Sequence, residues 1–141
     1  MVVVRKATLD DLDVIKALAD SHRYELGFVR CAALQRAIEQ NEVFVAQNRQ
    51  YITGFVDYHH RRDGQTTLYH IGVSPALRGQ GIGRSLVMAL YEEAQQRGSR
   101  TIVLKCPADL PANDFYAALS FHLIGEERSK NRPLRIWSLS L

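Results

Sequence analysis

With 141 residues, 46% of them hydrophobic and 23% charged, the chain has the size and balance of one globular domain, which excludes a disordered polymer. No apolar run approaches the roughly 20 residues that cross a bilayer, and the opening Met1-Val2-Val3-Val4-Arg5-Lys6 has neither the leading charged region nor the cleavage site of a signal peptide. The net charge of +3 favours anionic ligands, yet the basic residues are scattered, with short clusters at Arg61-Arg62 and within 128–135, so neither a membrane nor a nucleic acid is an expected partner.

The β-branched Val2, Val3 and Val4 read as a first strand. Thr8 followed by Asp11 forms a capping-box variant, and a helix is expected over 9–24 with Leu12, Ile15 and Ala19 on one side. Gly27 interrupts it, and a second helix over 29–40 carries Leu34, Ala37 and Ile38. Strands follow over 43–47 and 51–60, joined by the turn Asn48-Arg49-Gln50. Asp63-Gly64 signals a hairpin into a strand over 66–73, which Pro75 closes. A glycine-rich segment then leads into a strong helix, where Ile82, Leu86, Leu90 and Ala94 make an apolar stripe and Gly98 ends it. The mostly apolar 101–106 reads as a central strand. Pro107 and Pro111 bracket a loop before a short helix over 113–119. Strands over 122–128 and 135–139, joined by the turn Ser129-Lys130-Asn131-Arg132, complete a β-α-α-β-β-β-α-β-α-β-β order, an α/β domain with a mixed sheet. The two cysteines, Cys31 and Cys106, stand far apart and outside any Cys-x-x-Cys pair; no metal is expected, and two free thiols fit a reducing cytoplasm.

The informative unit is strand, then Arg78-Gly79-Gln80-Gly81-Ile82-Gly83-Arg84, then helix. Three glycines in five residues let the backbone come close to a ligand. The helix start supplies unpaired N–H groups and a positive dipole end, and the two arginines add full charges, so the unit reads as a pyrophosphate site. A P-loop would need a glycine where Arg78 stands and a lysine where Arg84 stands, and a dinucleotide fingerprint would need one more residue before Gly83. Both rivals fail.

At Arg78, Gly81 and Gly83 the chain resembles the GNAT superfamily of N-acetyltransferases, whose coenzyme A signature is Arg or Gln, two residues, Gly, one residue, then Gly or Ala. Ile71-Gly72-Val73-Ser74-Pro75 is similar to the family's strand end before that loop. Phe115-Tyr116-Ala117-Ala118-Leu119-Ser120-Phe121 is similar to its Phe-Tyr-x-x-x-Gly-Phe, with Ser120 in the glycine's place and a slight strain expected there. Seven residues before Tyr116 the family has asparagine; here Asp109 stands, and the role falls either to Asp109 or to Asn113, three residues before Tyr116.

The resemblance implies a single domain over 1–141, with a mixed, mostly antiparallel central sheet flanked by about four helices. It implies acetyl-coenzyme A as cosubstrate, no metal, and an amine acceptor on a small molecule, protein or peptide, attacked directly in a ternary complex. A homodimer is left open, and a non-catalytic acyl-coenzyme A sensor of the same fold is the alternative. By the same resemblance, Ile71, Gly72 and Val73 pair with the pantetheine like an added strand, with Gly72 marking a bulge where the sheet opens. Arg78, Gly79, Gln80, Gly81, Ile82, Gly83 and Arg84 hold the pyrophosphate, and Asn113 and Tyr116 complete the cofactor site. The Val73 N–H polarises the thioester carbonyl, and Tyr116 protonates the departing thiolate.

The general base is not legible. Strand alternation puts Thr67, Tyr69, Ile71 and Val73 on one face and Leu68 and His70 on the other, so His70 joins them only if Gly72 bulges. His59, His60 and a water chain are the other candidates. Cys106 reads as a buried small side chain, since no histidine lies near it in sequence. The acceptor falls to 20–30 and the last hairpin, with Tyr24, Glu25 and Asp57 as loose candidates.

Overall fold

The computed structural model describes residues 2–129 and 131–141; Met1 and Lys130, which belongs to the turn expected over 129–132, lie outside them. Strands β1 (Val2–Lys6), β2 (Val43–Asn48), β3 (Tyr51–His60), β4 (Gln65–Val73), β5 (Thr101–Pro107), β6 (His122–Arg128) and β7 (Pro133–Ser140) form one sheet in the order β1-β2-β3-β4-β5-β7-β6. Every pairing is antiparallel except β4 with β5. Helices α1 (Leu12–Ser21), α2 (Arg23–Leu26) and α3 (Cys31–Glu39) connect β1 to β2; α4 (Ile82–Gln96) and α5 (Ala112–Ala118) flank β5. The mixed, mostly antiparallel sheet expected from the sequence is therefore present.

Two apolar cores cover its two faces. Ile15 and Ala19 of α1, Leu34 and Ile38 of α3, and Val43, Val45 and Phe55 of the sheet form one. Ile82, Leu86, Val87, Leu90 and Ala94 of α4 form the other with Val56, Tyr58, Leu68, Ile102 and Leu104. The alternation of β3, with Phe55 on one side and Val56 and Tyr58 on the other, joins the two cores through a single strand. At the foot of α4, Gly98 at φ 79° lets the Ser99 N–H reach back to the Ala94 carbonyl at 3.0 Å.

Three expectations change. The single helix over 9–24 is a 3₁₀ turn (Leu9–Asp11) followed by α1 and α2, broken at His22, whose backbone leaves the helical region (φ −110°, ψ 30°). The next helix starts at Cys31 rather than 29, because Val29 is buried in the loop before it. The bulge expected at Gly72 lies at Tyr69: Asp57 pairs with His70 and Tyr58 with Leu68, so Tyr69 is the extra residue, while Gly72 pairs regularly with Phe55. Gly72 is glycine for another reason, because a Cβ there would stand 2.9 Å from Phe55 Cε1 and 3.3 Å from His22 Cδ2. The bulge shifts the phase of β4. Leu68, Ile71 and Val73 pack towards α4, whereas Gly72 meets Phe55 and His22 on the opposite face, and His70 turns to Asp57 there.

Candidate active site

β4 and β5 are paired only from Gln65↔Thr101 to Thr67↔Val103, and beyond that they part. A hollow of 290 Å³ begins at the fork, lined by Leu68 and Tyr69 of β4 and by Val103, Leu104 and Lys105 of β5. The Ser74 N–H donates to Thr53 O at 2.8 Å, continuing the β3 pairing past the end of β4. Peptide groups alternate along a strand, so the N–H and C=O groups of Ile71 and Val73 turn away from β3 to the open edge. An extended ligand could add there as a strand does.

Beyond this edge, the loop before α4 turns on Gly79 (φ 81°) and Gly81 (φ 83°), both left-handed positions open to glycine. The first internal bond of α4 runs from Ser85 N to Gly81 O at 3.0 Å, and no side chain caps the helix. Among the described residues, no protein acceptor takes the N–H groups of Gly79, Gln80, Gly81, Ile82, Gly83 or Arg84. Six consecutive donors at a helix start are groups that could take an anion. A Cβ at Gly83 would stand 3.2 Å from Phe115 Cζ, so this glycine also lets α4 close on α5.

The two arginines of the loop differ. Arg84 has no ion pair among the described residues. Arg78 points away from the cradle: its Nη2 donates to His22 Nδ1 at 2.6 Å and lies 3.8 Å from Glu25 Oε1. His22 is buried and reaches the open edge of β4, with Nε2 2.8 Å from Val73 O. An arginine only donates, so Nδ1 must accept and Nε2 must carry the hydrogen it gives to Val73. His22 escaped the sequence analysis. The signal that could have found it is the stripe Ile15, Ala19, His22, which continues the buried face of α1 at helical spacing.

Tyr116 projects from α5 into the core beside Phe115 and Phe121, whose ring centroids lie 5.3 and 5.7 Å away. Burial, then the neighbouring Cys106, raises its hydroxyl above the ordinary tyrosine value, so the phenol stays protonated and able to donate. No hydrogen-bond partner holds that hydroxyl among the described residues. Cys106 is buried, which pushes its thiol up to about 11 and keeps it protonated, in line with a packing role. Ser120 adopts φ 72°, the left-handed conformation for which its position favours glycine.

Asn113 is engaged within the fold. Its Nδ2 donates to Pro107 O at 2.9 Å and Leu110 O at 2.8 Å, and its Oδ1 accepts from Trp137 Nε1 at 2.9 Å. Both amide hydrogens are used inside the fold, so none is left for a pantetheine carbonyl. Asn113→Ala should destabilise the protein by at least about 2 kcal/mol, since it strands buried polar partners, while leaving the coenzyme affinity of the folded fraction unchanged. Chemical denaturation and calorimetry check the two halves. Asp109 is also engaged: it accepts from Tyr24 Oη at 2.7 Å and Arg132 Nη2 at 2.9 Å, and the Arg132 bond, then the Tyr24 bond, hold its carboxyl below the ordinary value.

The other histidines separate. His59 pairs with Glu42 at 2.9 Å, and His60 pairs with Glu93 and Thr66 at 2.8 Å each, ties that join β3 to its neighbours rather than to the fork. His70 lies 2.9 Å from Asp57 on the face opposite Ile71 and Val73. Among the described residues, no group of three His, Cys, Asp or Glu could hold a metal, and no helix is long and apolar enough to cross a membrane.

Comparison with known proteins agrees with this geometry. A family model described as the acetyltransferase (GNAT) family matches residues 12–121. A Pseudomonas phage PaMx11 protein named 5-NmdU N-acetyltransferase is 29% identical over 129 residues, covering 89% of this chain and 91% of its own. A Bacillus cereus GNAT-family acetyltransferase superposes with a TM-score of 0.86 at 22% identity, over 99% of this chain and 97% of that one. The ribosomal-protein-S18-alanine N-acetyltransferase of Escherichia coli gives 0.82 at 21% identity, over 99% and 94%. A Salmonella typhimurium structure solved with acetyl-CoA gives 0.83 at 18% identity, over 99% and 93%.

Proposed function

The chain belongs to the acetyltransferase (GNAT) family, and we propose that residues 1–141 work as one N-acetyltransferase domain that moves the acetyl group of acetyl-coenzyme A to a primary amine by direct attack in a ternary complex. The observation that carries this reading is the row of six N–H groups from Gly79 to Arg84 with no protein acceptor among the described residues, close in sequence to the edge of β4 that β5 leaves uncovered at Ile71 and the Val73 N–H. The cradle suits a pyrophosphate, and the edge suits the amides of a pantetheine arm. Together they lay a thioester along the fork between β4 and β5.

The bound cosubstrate supplies the activated acyl group; the protein places it. The Val73 N–H points to the open edge and donates to the carbonyl oxygen as negative charge develops. The amine nitrogen attacks the carbonyl carbon, and the carbon–sulfur bond breaks with its electron pair leaving on sulfur. Tyr116, protonated and without a protein partner, donates to that thiolate and is recharged by the proton the new amide nitrogen sheds. The unengaged Tyr116 hydroxyl favours catalysis over a purely sensing role. The acceptor is an amine of a small molecule, or of a protein or peptide; the names of the phage and Escherichia coli relatives fit an amine in both cases.

Arg84, without an ion pair among the described residues and in the first turn of α4, adds charge to the cradle. Arg84→Ala should raise KM for acetyl-coenzyme A by about tenfold to a hundredfold, the worth of a charge-assisted hydrogen bond, with KM for the amine unchanged. Steady-state rates with both substrates varied test the mechanism. Intersecting double-reciprocal lines fit direct attack, whereas parallel lines would mean an acyl-enzyme and contradict it.

A further inference from the structure

His22 ties together three parts of the molecule. It sits at the break between α1 and α2, its Nε2 donates to Val73 O at 2.8 Å, and its Nδ1 accepts from Arg78 of the coenzyme loop at 2.6 Å. The N–H and C=O of one strand residue point to the same side. The His22 ring therefore lies on the edge that carries the Val73 N–H, beside the expected position of the reacting carbonyl. A ring nitrogen that donates to a backbone carbonyl fixes the tautomer and presents the other nitrogen as a proton acceptor. Here that other nitrogen is covered by a guanidinium, which also stands 3.8 Å from Glu25.

Resting on the acetyltransferase reading above, we infer that Arg78 is a removable cover: the phosphates of acyl-coenzyme A draw it off His22 and Glu25, and the uncovered His22 Nδ1 is the general base for the amine. A phosphate oxygen is a stronger partner for a guanidinium than a neutral imidazole, because both members of the pair are charged. Arg78 lies three residues before Gly81, at the entrance to the cradle, and its side chain is half exposed and free to swing. Its departure bares one proton acceptor and one carboxylate side by side, which is a site for an alkylammonium. The ammonium gives one proton to Nδ1, and from there it passes to solvent. The neutral amine then attacks, and the second nitrogen proton, lost as the intermediate collapses, balances the one taken up by the thiolate. The Nε2–H bond to Val73 survives in the imidazolium, so the ring need not move.

The charged and titratable groups around His22 are Arg78 on the loop, Arg23 and Glu25 on α2, and, on the same face of the sheet, His70 paired with Asp57. Asp57 already occupies His70, which leaves His22 as the histidine aimed at the open edge.

The test uses His22→Gln, whose amide nitrogen can keep the bond to Val73 while the base is lost. In wild type, turnover should persist at neutral pH, where the free amine is protonated. In His22→Gln the rate at neutral pH should drop by about 10²–10³-fold, within the range for losing a general base, and recover only as the pH nears the amine's own ionisation at about 10. Affinity for coenzyme A should stay within a few-fold. Wild-type turnover with an unchanged rate and pH profile in the variant would overturn the inference while leaving the acetyltransferase reading intact. No wild-type turnover with any amine would overturn both. Nitrogen-15 spectra of wild-type His22 supply a second arm. Titration with coenzyme A should shift Nδ1 as its donor leaves and spare Nε2; an unmoved Nδ1 signal at saturating coenzyme A would overturn the cover.

Discussion

Gly81→Val should lower acetyl-coenzyme A affinity by at least about a hundredfold in a protein that remains folded. Gly81 is the residue before α4 and sits at φ 83°, where a β-branched side chain is strained by about 1–2 kcal/mol or more. A Cβ there would meet no protein atom within 4 Å, so the valine would not disturb the core. It would project into the space that a ligand on the cradle must occupy. Relief of the strain would rotate the peptide groups on either side of Gly81 and scatter the row of donors. Both routes end in lost phosphate contacts, while α4 keeps its hold through Leu86, Val87, Leu90 and Ala94. Calorimetry measures the affinity and circular dichroism the fold. Unchanged affinity in a folded variant would place the pyrophosphate elsewhere.

Tyr116→Phe should slow the chemical step by about 10²–10⁴-fold, the usual consequence of removing a general acid. The lower end is expected, since the coenzyme A thiolate leaves fairly well unaided. The ring packs between Phe115 and Phe121 and would stay in place. The lost hydroxyl has no hydrogen-bond partner among the described residues, so thermal stability and coenzyme A affinity should change little. The defect should shrink with acyl donors whose thiols are more acidic, because such leaving groups need a proton less. Pre-steady-state turnover is the measurement. Full activity in Tyr116→Phe would make the residue a packing tyrosine and leave the thiolate to water.

The parts of this site that were legible in sequence are those where one local feature determines the outcome. The stripe from Ile82 to Ala94, the glycines before it and Gly98 after it each act within a few residues, and α4 with the glycine turn before it appears where they put it. Ser120 in a glycine's position has the positive φ that its neighbours in the motif implied. The misses come from long-range contacts. Nothing within 9–24 stops a helix, yet His22 leaves it because Val73 and Arg78 hold its ring from across the fold. The bulge was assigned to Gly72 by residue type, but it falls at Tyr69, where the pairing of β3 with β4 slips, and Gly72 is instead small to admit Phe55 and His22. The resemblance left the family's asparagine role to Asp109 or Asn113. Trp137, 24 residues away, and the Pro107 and Leu110 carbonyls claim the Asn113 amide. The base was not legible for the same reason: alternation along β4 says nothing of what the end of α1 presses against it.

Coenzyme A release tests the central claim most directly. The protein is incubated with acetyl-coenzyme A alone and with a panel of primary amines that includes small polyamines, amino acids, aminomethylated nucleosides and peptides with a free N-terminus, and free thiol and product are followed together. Direct transfer at the fork predicts negligible thiol release without an amine. It predicts release matched one for one by N-acetylated product with at least one acceptor. A burst of thiol equal to the enzyme with no amine present, or no acetylated product from any acceptor at saturating acetyl-coenzyme A, would contradict it.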